Sequence, residues 1–274
     1  MMADRKLTSM LFIMGRPPAF IGAGVIAALN HLRYLLSVSF AVVWQTLRPL
    51  NWRRSVRREF IRQCYFTGTR ALGFVIILAF LVGIGMVFEV LFWLDVAGQS
   101  EYVGRLIVLL LVREIAPILV ALVVIGRSGS AIVGELGNMK ISGHVRMLDA
   151  MGIDPFIFLL LPRVTAIVIC MFCLTVIFLT VALGSGFMLA LFAGFTTMNI
   201  FEMLNVVLEA MVPVEYISMA MKLFFSSLLI GVICCTNGLG IHGDTTEVPR
   251  MLPNTFAQCV VALFFISLCI SIVL

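Results

Sequence analysis

Charge is what this sequence has least of. Charged residues make up only 12% of its 274 positions, while 62% are apolar. So little polar side chain cannot cover a soluble globule of that length, and the apolar excess must face lipid. Histidine is almost as scarce: His31, His144 and His242 fall in separate segments with no second ligand at helical spacing, which argues against a metal centre. The lysine of a phosphate-binding loop is missing too. The nearest approach, Gly129 to Gly134, is followed by Glu135 and Leu136, placing a carboxylate where the loop needs a cation. The chain is therefore expected not to hydrolyse ATP itself. No Ser/His/Asp or Cys/His set can be assembled, so no catalytic residue is assigned. Cys170 and Cys173 have redox or metal spacing but lie in an apolar run without His, Asp or Glu, and all seven cysteines read as small packing residues, not disulfides.

What the chain does have is long apolar runs separated by short polar segments. Runs over about 71–94, 105–125, 164–183 (extending as far as 192), 214–236 and 255–274 are each long enough to cross the hydrocarbon. The fold class expected is all-α: a polytopic membrane protein of about five transmembrane helices, an N-terminal amphipathic interfacial helix and a cytoplasmic coupling helix. In the apolar stretch 20–47, Asn30, His31 and Arg33 leave clean halves too short to span, so it is read as interfacial. Gly83 and Gly85 offer a close-packing face in the first span. Asn237 to Asn254 reads as a Gly- and Pro-rich loop before the last span.

Of the 19 Lys and Arg residues, 11 fall in the first 70 positions, whereas Gly194 to Pro213 carries Glu202 and Glu209 and no basic residue. The positive-inside rule then places the N-terminus, the segment between the second and third spans, and residues 1–19 in the cytoplasm, with the C-terminus outside. The basic excess is explained by a membrane surface, and no nucleic-acid partner is expected. Within it, Trp52, Val56, Phe60, Cys64 and Tyr65 recur at helical spacing on one face while Arg53, Arg54, Arg57, Arg58 and Arg62 take the other. That is the pattern of a helix lying in the membrane interface with arginines toward anionic headgroups. Two regions follow: 1–69, a tail with interfacial helices, and 70–274, the five-span domain with a coupling helix at about 133–154.

Ionisable residues inside apolar runs are costly, so they line cavities or pair. Arg113, Glu114, Glu89 and Lys222 are the four in this class, and Pro117, one turn after Arg113, removes a helix hydrogen bond there. These four are the candidate residues of a cavity. The following stretch turns through a glycine-rich corner, Gly126-Arg127-Ser128-Gly129, becomes amphipathic, and ends at Asp154-Pro155. It reads as a cytoplasmic hinge that takes mechanical input from another molecule.

The run Leu111-Val-Arg113-Glu114-Ile-Ala-Pro117, continued by Ala121-Leu122, Gly126 to Ala131, Glu135-Leu136-Gly137, Met139-Lys140 and Asp154-Pro155, resembles the MlaE-type permease family, the membrane subunits of ABC transporters that work with Mce-domain proteins. The similarity is densest over about 45 residues and weaker over about 60–274. The resemblance implies a homodimer in the bacterial inner membrane, bound to two copies of a cytoplasmic ABC ATPase, with a periplasmic Mce-domain protein and a small cytoplasmic accessory subunit as further partners. It implies transport of phospholipid or a related lipid, with ATP and magnesium held by the ATPase and no cofactor on this chain. It also implies that Arg113 and Glu114 form a buried pair beside a lipid cavity, and that Glu135, Gly137, Met139, Lys140 and Asp154 lie on the coupling helix; Arg146, a positive charge of the same hinge, is a further candidate for the ATPase contact. One departure stands out: Gly143-His144 occupies a place where the family commonly has Glu-Gln, and glycine there weakens a helix by about 1 kcal/mol relative to alanine. The residues alone leave two other classes open, an ion-driven secondary transporter using Arg113, Glu114 and Lys222 as a relay, and a membrane scaffold without transport.

Overall fold

The computed structural model describes residues 17–48, 52–97, 103–192, 194, 205, 212–241 and 247–273. The remainder of the N-terminal tail, the core of the acidic segment 194–213 and residues 242–246 lie outside them. All regular structure among the described residues is helical, and five helices are long and apolar enough to cross a membrane. The chain divides into two compact units, 1–41 and 42–274.

Helix α1, Pro17–Thr46, is one continuous helix of 30 residues. Asn30, His31 and Arg33 do not interrupt it, and it is not among the five candidate spans. Helix α2, Arg54–Ala97, is 44 residues long, so the arginine-rich segment and the first span are one uninterrupted element. At about 1.5 Å per residue it is roughly twice the thickness of the hydrocarbon, so much of its arginine-rich part must lie outside it. The side of α2 turned into the protein carries Val56, Gln63, Thr67, Ala71, Val75 and Ala79, while Tyr65 is exposed.

The second span is not a uniform α-helix. Helix α3 (Val103–Ile107) passes into a π-helical stretch, Val108–Ile115, then α4 (Ala116–Val124), a second π stretch, Ile125–Gly129, and α5 (Ser130–Ile141). The glycine-rich corner expected at 126–129 is therefore no turn: the helix continues through it to Ile141. Its glycine serves close approach instead, because a Cβ on Gly129 would stand 3.0 Å from Cys234 Sγ.

The single coupling helix expected over 133–154 is two helices. Helix α5 stops at Ser142, Gly143 turns the chain at φ +78°, and α6 runs His144–Ala150. Gly143 is outside any helix interior, so its propensity penalty does not apply; only glycine reaches that left-handed conformation without strain. Helix α6 ends in a Schellman turn, with Ile153 N–H donating to Leu148 C=O (3.0 Å), Gly152 N–H to Asp149 C=O (3.0 Å), and Gly152 at φ +72°.

A third π stretch, Phe156–Leu160, opens α7 (Leu161–Phe192), followed by α8 (Pro213–Leu239) and α9 (Glu247–Val273). The last span starts earlier than Thr255, because Pro249 sits in its first turn, where a missing N–H costs nothing. Helix α2 packs chiefly on α7, and α8 packs on α9, α7 and α5. The α2–α7 crossing is closest at Gly83, whose Cβ position would collide with Ala182 and Ser185; the Ser185 hydroxyl donates to Phe80 C=O at 3.3 Å. Gly85, by contrast, meets nothing within 4 Å. Gly231 packs against Val164, and Gly238 against Leu136 and Val133, bringing α8 close to α7 and α5. All seven thiols are free, and those of Cys234 and Cys259 touch at 3.7 Å in the core.

Outward faces are strongly apolar. Phe74, Ile77, Phe80 and Leu81 on α2, Met221, Phe224 and Phe225 on α8, and Val261, Phe264 and Phe265 on α9 are all exposed. Apolar surface on this scale belongs in lipid or against another membrane chain.

Candidate functional site

Two charged clusters stand out, and both use the helix that carries Arg113 and Glu135. The first lies in the apolar part. Glu114 Oε1 accepts from Lys222 Nζ at 2.7 Å and from the Ser271 hydroxyl at 2.8 Å, and Arg113 Nε lies 3.6 Å away. Of the four cavity candidates, Arg113, Glu114 and Lys222 meet, and Ser271 of α9 joins them. Glu89 does not. It is exposed on α2, and no cation among the described residues lies within salt-bridge distance of it.

The local backbone explains why Lys222 points here. The carbonyl of Arg113 would ordinarily accept from the N–H four residues on, but that residue is Pro117. Lys222 Nζ donates to this carbonyl at 3.2 Å, so one ammonium serves both a backbone oxygen that Pro117 deprives of its α-helical donor and the Glu114 carboxylate. The π-helical stretch leading to Pro117 is the accompanying distortion, with the Ala116 N–H reaching back to Leu111 C=O. Lys222 is buried, its side chain 2% exposed, whereas Arg113 and Glu114 are 18% and 33% exposed. Two cations face one carboxylate, so the cluster carries one surplus positive charge, and the more open cation is Arg113. The Arg113 guanidinium is thus partly exposed inside an apolar span and shares its one carboxylate with Lys222.

The second cluster lies at the arginine-rich end. Arg163 of α7 is 1% exposed and has its Nη2 3.2 Å from Glu135 Oε1 and 3.8 Å from Glu59 Oε1. Its Nη1 donates to Leu159 C=O at 2.9 Å, and its Nε has no partner. Arg62 completes the set, donating to Glu135 at 2.9 Å and lying 3.5 Å from Glu59. Two cations and two carboxylates tie α2, α5 and α7 together with no net charge. Arg62, expected to face headgroups, is 53% exposed and donates to Glu135.

The other coupling candidates separate by environment. Gly137 is buried under Ile241 and Val248, 2.7 and 3.2 Å from where a Cβ would be, so it seats α5 against the α8–α9 corner. Met139 places its sulfur 3.9 Å from Arg163 Nη2. Lys140 is half-buried and Arg146 exposed. Asp154 caps the next helix: its Oδ1 accepts from Phe156 N–H at 2.9 Å, with Pro155 at the first helical position. Among the interface candidates, Trp52 donates from Nε1 to Thr46 C=O at 2.9 Å and packs edge-on against Phe60, Arg53 lines a cleft of about 480 Å³ shared with Asp154, and Arg54, Arg57 and Arg58 are exposed.

Sequence reasoning missed several contributors. Glu59 is the one acid in the arginine-rich stretch from Arg53 to Arg70, three residues from Arg62, a spacing that could have flagged the pair. Arg163 opens an apolar run and reads as a flanking charge until the fold buries it. Ser271 has no signal of its own. Met147 and Met151 are 61% and 64% exposed on and just after α6, beside Ile153 and Arg146, while Val145 is the buried residue of that helix. Together they give this short helix an exposed apolar face.

Comparison with known proteins bears on the family to which the chain belongs. A family model described as Permease MlaE matches residues 60–273. The chain is 26% identical over 222 residues to the chloroplastic protein trigalactosyldiacylglycerol 1 of Arabidopsis thaliana, covering 81% of this chain and 61% of that protein. It thus spans less than two thirds of the plant protein's length. It is 28% identical over 200 residues to a probable ABC transporter permease protein of Rickettsia felis, 73% of this chain and 75% of the relative. Over 137 residues it is 32% identical to the intermembrane phospholipid transport system permease protein MlaE of Haemophilus influenzae, 48% of this chain and 51% of the relative. Since the family model takes in all five candidate spans but the first turn and a half of α2, the chain belongs to the MlaE permease family.

Proposed function

We propose that this chain is the membrane subunit of an ATP-driven lipid transporter, moving phospholipid or a related lipid between the inner membrane and a periplasmic Mce-domain assembly. The observation that carries this reading is the surplus positive charge at Arg113, partly exposed beside Glu114 and Lys222 in an apolar span. A phosphate-bearing headgroup supplies the missing anion, and acyl chains match the apolar surroundings. The chain works as a homodimer, with the Arg113 clusters facing a shared cavity. Two copies of a cytoplasmic ATPase seat α6 in their grooves through Met147, Met151 and Arg146, and a small cytoplasmic accessory subunit joins them. ATP and magnesium belong to that ATPase; this chain supplies no catalytic group.

The mechanism follows from how the elements are joined. Closure of the ATPases displaces α6, and Gly143 passes the displacement to α5. Helix α5 is tied to α2 and α7 by Glu135, and it continues through the second span to Glu114. Displacement at one end therefore changes the packing around Arg113 at the other, which opens or collapses the cavity and exchanges the lipid. Orientation follows the charge: arginine-rich ends in the cytoplasm, C-terminus in the periplasm.

The test is transport by the complex purified with its ATPase and reconstituted in vesicles. Arg113→Ala is expected to abolish most ATP-dependent lipid movement while the ATPase still co-purifies. Unchanged transport and unchanged bound lipid in this variant would remove the cavity role.

A further inference from the structure

A cavity of about 460 Å³ opens between α2 and α5, well apart from the Arg113 cluster. Its walls include Arg62, Phe66 and Arg70 from α2 and Ser128, Ile132 and Glu135 from the second span. Arg62, Phe66 and Arg70 follow one another at four-residue spacing, so they form a single stripe. Both guanidiniums lie over the same ring, Arg62 at 5.9 Å and Arg70 at 5.2 Å from the Phe66 centroid. The ring therefore holds two cations at either side of one opening.

Their charge states differ. Arg62 and Arg163 are already matched by Glu59 and Glu135. Arg70 has no carboxylate within salt-bridge distance among the described residues; its partner is the ring. The cavity thus keeps one positive charge after its internal pairs are counted. Depth along α2 says what reaches it. Arg70 is the last charge before the unbroken apolar run that starts at Ala71, so the opening stands where hydrocarbon gives way to headgroups. Below it the outward face of α2 carries Phe74, Ile77 and Leu81, a surface for acyl chains.

We propose that this α2–α5 cavity is a second, peripheral lipid site, which holds the phosphate of an anionic phospholipid of the surrounding leaflet against Arg70 and Arg62. The cavity volume falls within the range of small-molecule sites, and a monoanionic phosphodiester brings its charge to zero. The site also borders Glu135, so an occupant here competes with Glu135 for Arg62 and adjusts how firmly α2 is tied to α5. It does not depend on whether the chain transports lipid, and its test reads a different residue from the Arg113 cluster.

The experiment uses the full complex in nanodiscs of equal parts phosphatidylglycerol and phosphatidylcholine, each supplied in turn as a photoreactive analogue, with cross-linked peptides mapped by mass spectrometry. Labelling of the peptides around 62–70 and 128–135 is expected to favour phosphatidylglycerol about tenfold, the effect of one charge-assisted contact. Arg70→Gln removes that preference and Arg70→Lys keeps part of it. Because Arg70 is exposed and outside the Arg163 network, both variants keep ATPase co-purification and the Arg113-dependent lipid. Equal labelling by the two lipids, or a preference that survives Arg70→Gln, overturns the site. Loss of labelling on adding millimolar inorganic phosphate overturns the lipid as occupant, since a tethered headgroup resists a soluble competitor of the same charge.

Discussion

The cluster around Glu114 and the cluster around Glu135 occupy two ends of one helical element, separated by roughly 30 Å of helix. Each buries one cation almost completely, Lys222 in the first and Arg163 in the second, and each shares one carboxylate oxygen between cations. They differ in balance. The first sets two cations against one carboxylate and leaves Arg113 partly exposed; the second sets two against two and closes on itself. On the function proposed above, similar chemistry has opposite uses: the unbalanced cluster in an apolar span takes an anion, and the balanced one at the arginine-rich end fixes helices to one another.

The comparison breaks first at Arg163. If the balanced cluster is structural, Arg163→Met destabilises the purified protein by about 3–5 kcal/mol, toward the lower end because Glu135 is 36% exposed. Thermal unfolding in detergent reads this directly. The double variant Arg163→Met with Glu135→Gln recovers part of the loss, because Arg62 is then left with one carboxylate, Glu59, and no surplus negative charge. Stability unaffected by Arg163→Met would dissolve the distinction between the clusters.

A smaller effect is expected between the clusters and the partner. Gly143→Ala places a side chain at φ +78° and costs about 1–2 kcal/mol. The readout is ATPase co-purification, which drops several-fold while the five spans stay folded. Co-purification equal to that of the unmodified chain would mean that α6 docks without this turn.

The smallest effect belongs to Glu89. Exposed on α2 and apart from Arg113 and Lys222, it changes nothing in lipid binding when replaced by Gln, and stability moves by less than about 0.5 kcal/mol. Loss of bound lipid in Glu89→Gln would enlarge the unbalanced cluster to a residue that one protomer does not bring to it.

The five spans were legible because each apolar run is long and charge is rare, so a window of hydropathy has little to confuse it. Arg113, Glu114 and Lys222 were legible for the same reason: a charge in such a run advertises its cost. Glycine was ambiguous. Gly126 and Gly129 read as a corner, yet they sit in a continuing helix; at Gly129 close approach to α8 makes the same demand for a missing side chain as turning a chain does. Gly143 read as a weak point in a helix and is in fact its end. The balanced cluster escaped notice because Glu59, Glu135 and Arg163 are far apart in sequence and each looks like an ordinary charge at a membrane boundary. Met147 and Met151 escaped because methionine in so apolar a chain has no contrast; only the fold leaves them exposed.

The central claim is that the surplus charge at Arg113 holds an anionic headgroup. It is tested most directly by headgroup-resolved mass spectrometry of lipid retained by the purified complex, comparing the unmodified chain with Arg113→Gln and Arg113→Lys. Removing the charge is expected to lower retained phosphate-bearing lipid about tenfold, and lysine to restore part of it. Equal retention in all three proteins would contradict the account.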